Sequence, residues 1–198
     1  MSAEVRASWL KYIVSCAKRR EGSLDLVSPE LRQRIRDMGM LEWVPFERFM
    51  ELARAIHAAE GSDSVDFWRT AMLRAISGPV LSPLMRGGLM MFGNGAASLL
   101  ARAPQVYALT ARNAGHMEVD IDTAARRAVL SISRVPGPAR GSDVYAALHH
   151  GDCIAALQFA RTRGTIVVDT SRYLSGELRY DIAFELADRA RAAPPGEG

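Results

Sequence analysis

Hydrophobic positions recur at helical spacing along the first 112 residues. The first such run has polar residues between its apolar positions and predicts an amphipathic helix over 3–20: Val5, Trp9, Tyr12 and Ile13. Further runs of this kind predict five more helices, over 28–38, 46–60, 64–77, 81–92 and 95–114, the last of them kinked at Pro104. End signals support these bounds, because Ser28 is a favourable N-cap and Gly61 a favourable stop.

After Gly115 the pattern changes to strict alternation. Apolar and polar residues alternate over 117–122 and 128–135, which predicts a hairpin of two half-buried strands. A helix follows, and then two more strands, at 142–161, 165–170 and 177–184. Because the helices and the antiparallel strands are segregated, the pattern predicts an α+β fold. We expect an N-terminal layer of about six helices packed on a C-terminal antiparallel ββ-α-ββ sheet.

The length and composition of the chain fit one globular domain. The chain has 198 residues, 48% hydrophobic and 24% charged, which are ordinary values for such a domain. We expect one domain over 1–191, with a helical part at 3–112, a sheet part at 115–184 and a flexible tail at 192–198. The apolar run 81–100 is not predicted to span a membrane, because prolines, glycines and Arg86 interrupt it.

Charge and cysteine content narrow the function classes. The formal net charge is +3, and five arginines between residues 61 and 114 stand against only two aspartates there. That excess is too small to predict a dedicated nucleic-acid binder. Cys16 and Cys153 are too few for a disulfide framework. Since the N-terminus does not resemble a signal peptide, we predict a cytoplasmic protein with reduced thiols.

No catalytic motif is recognisable, and the glycine-rich run 87–93 lacks the spacing of a phosphate-binding loop. The segment "LHHGDC" holds the one notable cluster, in which His149 and Cys153 would share a helix face. These two could begin a metal site, but such a site needs more ligands than the pattern supplies. Cys153 could also act as a nucleophile with His149 or His150 as base, although no oxyanion loop is apparent. We therefore predict no enzyme activity, no metal and no cofactor.

Methionines and aromatic residues concentrate on the fourth to sixth predicted helices. Such side chains line apolar pockets for small ligands, although the same spacing also fits an ordinary core. The residues that we expect to contact a ligand are Trp68, Met72, Met90, Phe92 and Tyr107.

Several segments resemble known families. "LEWVPFERFMELARAIHAAEG", "DFWRTAM", "LSPLMRGGLMMFGNGAASLLARAPQVY" and "ALHHGDCIAALQFARTRGTIVV" resemble a paralogous family of uncharacterised myxobacterial proteins. The order of elements is similar to a wider superfamily that includes haem nitric-oxide sensor domains, vinyl-four-reductase ligand-binding domains and TRAPP tethering subunits. That resemblance implies a domain that binds a small apolar ligand or a protein partner without catalysis. The chain lacks the Tyr-x-Ser-x-Arg clamp of the haem sensors, so the resemblance does not imply that this chain binds haem.

These patterns together predict a non-catalytic sensory or adaptor domain in signalling or regulation. It would bind a small apolar ligand or a protein partner between the helices of 64–112 and the sheet of 115–184. The alternative is a scaffold that self-associates through the apolar face of its first helix, forming a dimer. An enzyme that uses Cys153 with a histidine, and a nucleic-acid-binding protein, are the remaining alternatives.

Overall fold

The computed structural model describes residues 2–78, 81–82 and 95–185. The predicted helix over 81–92, with Met90 and Phe92, lies almost wholly outside these residues, and the predicted tail lies entirely outside them. In the described part, six α-helices precede the main sheet: α1 (Ala7–Ala17), α2 (Pro29–Asp37), α3 (Phe46–Glu60), α4 (Ser64–Ser77), α5 (Ala96–Leu100) and α6 (Ala103–Thr110).

The main sheet has four antiparallel strands: β4 (His116–Asp122), β5 (Arg127–Ser133), β6 (Gly164–Asp169) and β7 (Leu178–Phe184). Their order across the sheet is β4-β5-β7-β6, and α7 (Asp143–Phe159) connects β5 to β6. The alternation seen in the sequence decides which side chains face inward. Leu130 and Val168 both pair with Tyr180, and Leu130 and Tyr180 belong to the core. The α+β class and the ββ-α-ββ order are thus confirmed.

The count of about six helices agrees only approximately with the structure. The predicted helix over 95–114 is two short helices, α5 and α6, separated at Ala101 and Arg102. Pro104 lies in the first turn of α6, where its missing N–H costs no hydrogen bond. The expected kink at this proline is therefore a break between two helices.

A second, small sheet was not expected from the sequence. It consists of β1 (Glu4–Arg6), β2 (Trp43–Pro45) and β3 (Ala111–Arg112), in the order β2-β1-β3. The first helix was predicted from residue 3, but the chain is extended until Ala7 because residues 4–6 pair with both neighbouring strands. Three-residue strands carry almost no periodic signal.

The apolar face predicted for the first helix packs inside the chain, with Val5 in β1 and the rest in α1. Val5, Trp9 and Ile13 are all buried, with Ile13 fully inaccessible. These side chains had suggested a docking face for a second subunit. Because they already contact the core of the same chain, they provide no support for self-association.

Helix α7 packs very closely on α4. A Cβ atom built on Gly151 would lie 2.6 Å from Trp68 Cβ and 2.6 Å from the backbone nitrogen of Arg69. Glycine therefore allows the two helices to approach where any side chain would clash. This contact fixes the orientation of α7, whose opposite face borders the site described next.

Candidate functional site

An apolar cavity of about 110 Å³ lies between the helical layer and the main sheet. Side chains from β1, α1, α3, α4, α5, α6, β4, β5 and α7 line it. Most of its wall is apolar and includes Trp9, Phe46, Phe49, Met72, Leu99 and Leu130. A cavity of this kind is comparable with the engineered apolar cavity of about 150 Å³ that binds benzene or xenon.

The polar part of the wall comes mainly from one stripe of α7. Tyr145, His149, Asp152 and Ala156 recur every three or four residues and all line the cavity. That spacing places them on the same helix face. The stripe lies opposite to the Gly151 face, because positions 151, 155 and 158 follow the other side of the helix.

Two tyrosine hydroxyls form a chain at the cavity wall. The Tyr107 hydroxyl donates to the carbonyl oxygen of Ala114 at 2.5 Å, and the Tyr107 and Tyr145 hydroxyl oxygens are 2.9 Å apart. Since the proton of Tyr107 is used on Ala114, the Tyr145 hydroxyl is the donor between the two rings. Burial raises the pKa of the Tyr107 phenol to about 12, so both groups stay neutral at physiological pH.

His149 and Asp152 form a largely buried pair next to the two tyrosines, and the side chain of Asp152 is 17% exposed. His149 Nδ1 lies 3.0 Å from Asp152 Oδ2, and the His149 ring packs edge-on against Tyr145 with the ring centroids 4.5 Å apart. The side chain of His149 is only 7% exposed. Burial raises the pKa of the Asp152 carboxyl, while the hydrogen bond with His149 opposes that shift.

Cys153 lines the cavity as a protonated thiol. It is a free, buried cysteine, and burial, with the neighbouring charge of Asp152, raises its pKa well above the ordinary value. A thiol in this setting is a poor nucleophile, because the reactive form is the thiolate. Cys153 and His149 do lie together as the sequence suggested. Among the described residues, however, no group of three or more histidine, cysteine, aspartate or glutamate side chains could hold a metal ion.

The predicted ligand contacts lie in different places. Met72 and Tyr107 line the cavity. Trp68 is fully buried and is not one of the described lining residues. Its ring packs edge-on against Phe67 at a centroid distance of 5.0 Å. Met90 and Phe92 are outside the described residues, so all five assignments remain predictions.

The sequence analysis missed the contribution of the early helices and most of the α7 stripe. Trp9, Phe46 and Phe49 belong to the wall, yet a helical apolar pattern does not distinguish a cavity wall from a filled core. The polar stripe was readable in principle, because Tyr145, His149 and Asp152 share one helical face. What could not be read is which elements this face meets across the fold.

The fold and the cavity define an α+β domain with a small apolar space between its helical layer and its antiparallel sheet. Neither a protein-family model nor a curated protein sequence matches the chain. Several solved structures of H-NOX proteins are similar in fold. A mutant H-NOX protein from K. algicida, in the Fe(II) unliganded form, superposes with a TM-score of 0.67 at 12% identity, covering 93% of this chain and 98% of that one.

Two further structures show the same likeness. An H-NOX protein from S. oneidensis in the Fe(II)NO ligation state has a TM-score of 0.62 at 13% identity, with 92% of this chain and 99% of that chain covered. A mutant H-NOX from T. tengcongensis has a TM-score of 0.57 at 13% identity, with 89% and 95% covered. At such identities the likeness shows a shared fold. It agrees with the order of elements on which the distant resemblance rests, and the family resemblances themselves remain predictions.

Two further expectations concern location. None of the helices in the described ranges combines the length and apolar character needed to cross a membrane. The cytoplasmic location remains a prediction.

Proposed function

We propose that this chain is a non-catalytic sensory domain that binds a small, largely apolar ligand in the cavity beside α7. The observation that carries the proposal is the cavity itself, an apolar space of about 110 Å³ between the two layers of the fold. Proteins normally fill such spaces with side chains, because an empty cavity costs stability in proportion to its volume. An apolar space that side chains leave unfilled is the feature expected of a ligand-binding site.

The position of the cavity suits a sensor. Its wall is built by both layers of the fold, including the small sheet, α4, α6 and α7. A ligand that contacts all of these elements would favour the arrangement in which they enclose it. Binding could therefore be transmitted to the surface as a shift between two packings of the same elements. The H-NOX likeness favours this class of function.

The described residues do not fit a haem, although structures with this fold carry ferrous iron. The space beside His149 is about 110 Å³, whereas even drug-sized ligands occupy pockets of about 300–1,000 Å³. No lysine or arginine occurs among the described lining residues, so none of them would pair with the propionate groups of a porphyrin. We therefore assign the cavity to a smaller molecule.

Thermal unfolding in the presence of toluene tests this function. At a free concentration ten times the Kd, a ligand that binds only the folded state adds about 1.4 kcal/mol to the free energy of unfolding. For a chain of this length that corresponds to a rise in Tm of about 3–6 °C. The matched control is Ala156→Leu, which extends a side chain from the α7 stripe into the cavity and should abolish the rise. An equal rise in both proteins, or no rise in either, would contradict the proposal.

A further inference from the structure

Two buried polar atoms on the cavity wall have no hydrogen-bond partner among the described residues. They are Nε2 of His149 and Oδ1 of Asp152. The other polar atom of each side chain is used in the His149–Asp152 hydrogen bond, and both side chains line the cavity. The two free atoms therefore belong to one hydrogen-bonded unit beside an apolar space.

Leaving such atoms without partners is costly. A buried polar atom without a hydrogen bond costs about 1–3 kcal/mol, and the large majority of buried side-chain polar atoms in native proteins have a partner. Nε2 lies on the side of the His149 ring away from Asp152, because Nδ1 makes the bond to Asp152, so one small group cannot reach both atoms. Oδ1 of Asp152 is left to ordered water, and Nε2 is the atom that a group added in the cavity can satisfy. That group must be small, because the space beside it is about 110 Å³.

We infer that the ligand of this cavity carries a single hydroxyl group, which hydrogen-bonds to His149 Nε2 while its apolar body fills the rest of the space. This inference rests on the proposed function and adds the chemical class of the ligand, a phenol or alcohol of about one ring in size. His149, which Asp152 holds through Nδ1, is its polar anchor.

A hydroxyl fits Nε2 of His149 in each protonation arrangement of the pair. If Asp152 is ionised and His149 is neutral, His149 donates from Nδ1 and its Nε2 can only accept, so the ligand must donate. If His149 is doubly protonated, both ring nitrogens donate and the ligand must accept. If Asp152 is protonated and donates to Nδ1, Nε2 carries a proton and the ligand must accept. A hydroxyl can do both, whereas an ether or a ketone can only accept.

A carboxylate ligand does not suit this site. A second carboxylate next to Asp152 in an apolar cavity would place two like charges together, which raises the cost of ionising either. The lining residues that the structure describes include no lysine or arginine to offset such a charge. The tyrosine hydroxyls nearby are already paired with each other and with Ala114.

Calorimetric titration of the full chain with phenol, toluene and benzoate at pH 7 tests the inference. Phenol and toluene have nearly the same shape, so the ratio of their Kd values isolates the hydroxyl. We expect phenol to bind at least about tenfold more tightly than toluene, because its hydroxyl satisfies the buried Nε2 of His149, which toluene leaves unpaired. We expect benzoate to bind at least about tenfold more weakly than phenol.

Variants of two adjacent histidines assign the effect to the anchor. In His149→Leu the ratio of phenol to toluene affinity should fall to about one. The same change in His150→Leu should leave the ratio as in the unmodified chain, because His150 lies outside the described cavity wall. If His149→Leu does not fold, the double variant His149→Leu/Asp152→Leu replaces both polar groups with apolar ones, a change that a core tolerates better.

The outcomes separate this inference from the proposed function. Equal binding of phenol and toluene would overturn the hydroxyl anchor and leave the cavity as an apolar site, with ordered water as the partner of the two atoms. Benzoate binding as tightly as phenol would overturn the ligand class. Failure of all three to bind would overturn both the inference and the proposed function.

Discussion

One face of α7 has no free space, and the opposite face borders a cavity. At Gly151 a single added carbon would lie 2.6 Å from atoms of α4. On the other side, the stripe from Tyr145 to Ala156 borders about 110 Å³ of apolar space. The same helix is thus packed as closely as sterics allow on one side and incompletely on the other. Incomplete packing beside such close packing indicates that the cavity is a specific feature of this fold.

The largest expected change in stability comes from adding a side chain at Gly151, where α7 contacts α4. Gly151→Ala should lower the free energy of unfolding by about 1–3 kcal/mol, the usual cost of overpacking, although alanine favours a helix by about 1 kcal/mol over glycine. Chemical denaturation would measure this. Gly95→Ala is the control, since no atom beyond its chain neighbours lies within 4 Å of its added carbon and its φ of −79° suits any residue, so it should change stability less. A stabilised Gly151→Ala would refute the close contact between α4 and α7.

Removing each of the two tyrosine hydroxyls on the cavity side should lower the free energy of unfolding by a different amount. Tyr107→Phe removes the donor to Ala114 and leaves the buried Tyr145 hydroxyl without its acceptor, so we expect a loss of about 2 kcal/mol. Tyr145→Phe removes one donor and leaves the Tyr107 bond to Ala114 intact, so we expect about 1 kcal/mol. Denaturant titration of both variants checks the order. The reverse order would show that the donor directions are wrong.

A larger side chain in the cavity should change the free energy of unfolding in the opposite direction from a larger side chain at Gly151. Ala156→Leu adds apolar atoms where there is space, and we expect it to raise the free energy of unfolding by about 0.5–1 kcal/mol. It should do so while abolishing the effect of toluene. The comparison of Ala156→Leu with Gly151→Ala therefore tests both faces of one helix with the same experiment. Destabilisation in both variants would mean that the cavity face has no room for a larger side chain.

Asp152 should make the free energy of unfolding decline as the pH rises. Because burial raises its folded-state pKa above the unfolded value of about 3.9, the folded state binds more protons than the unfolded state in the window between the two values. The Asp152 carboxyl therefore favours folding at the acidic end of this window, and that contribution is lost as the pH rises through the folded-state pKa. Asp152→Asn should remove this decline in a series of denaturation curves, and an unchanged slope would exclude the buried carboxyl as its cause.

The sequence predicted the larger elements well because their signals are local. Alternation over 117–122 and 177–184 and helical spacing over 46–60 each extend far enough to be recognised. Short elements such as β1 depend on pairing with residues 43–45 and 111–112, a contact that no local pattern contains. Packing between distant parts of the chain also explains why Trp68 and Met72 lie in different surroundings. Both follow the apolar face of α4, and only the packing of α7 around Gly151 decides that Trp68 is enclosed while Met72 borders the cavity.

The central claim is that the cavity binds a small ligand, and methionine methyl resonances test it most directly. Met72 and Met117 line the cavity, whereas Met40 is 37% exposed and is not a described lining residue. Titration of the full chain with toluene, followed by NMR of the methionine methyl groups, should give saturable shifts at Met72 and Met117 with Met40 unchanged. The absence of saturable shifts at Met72 and Met117, or shifts of equal size at Met40, would contradict the account.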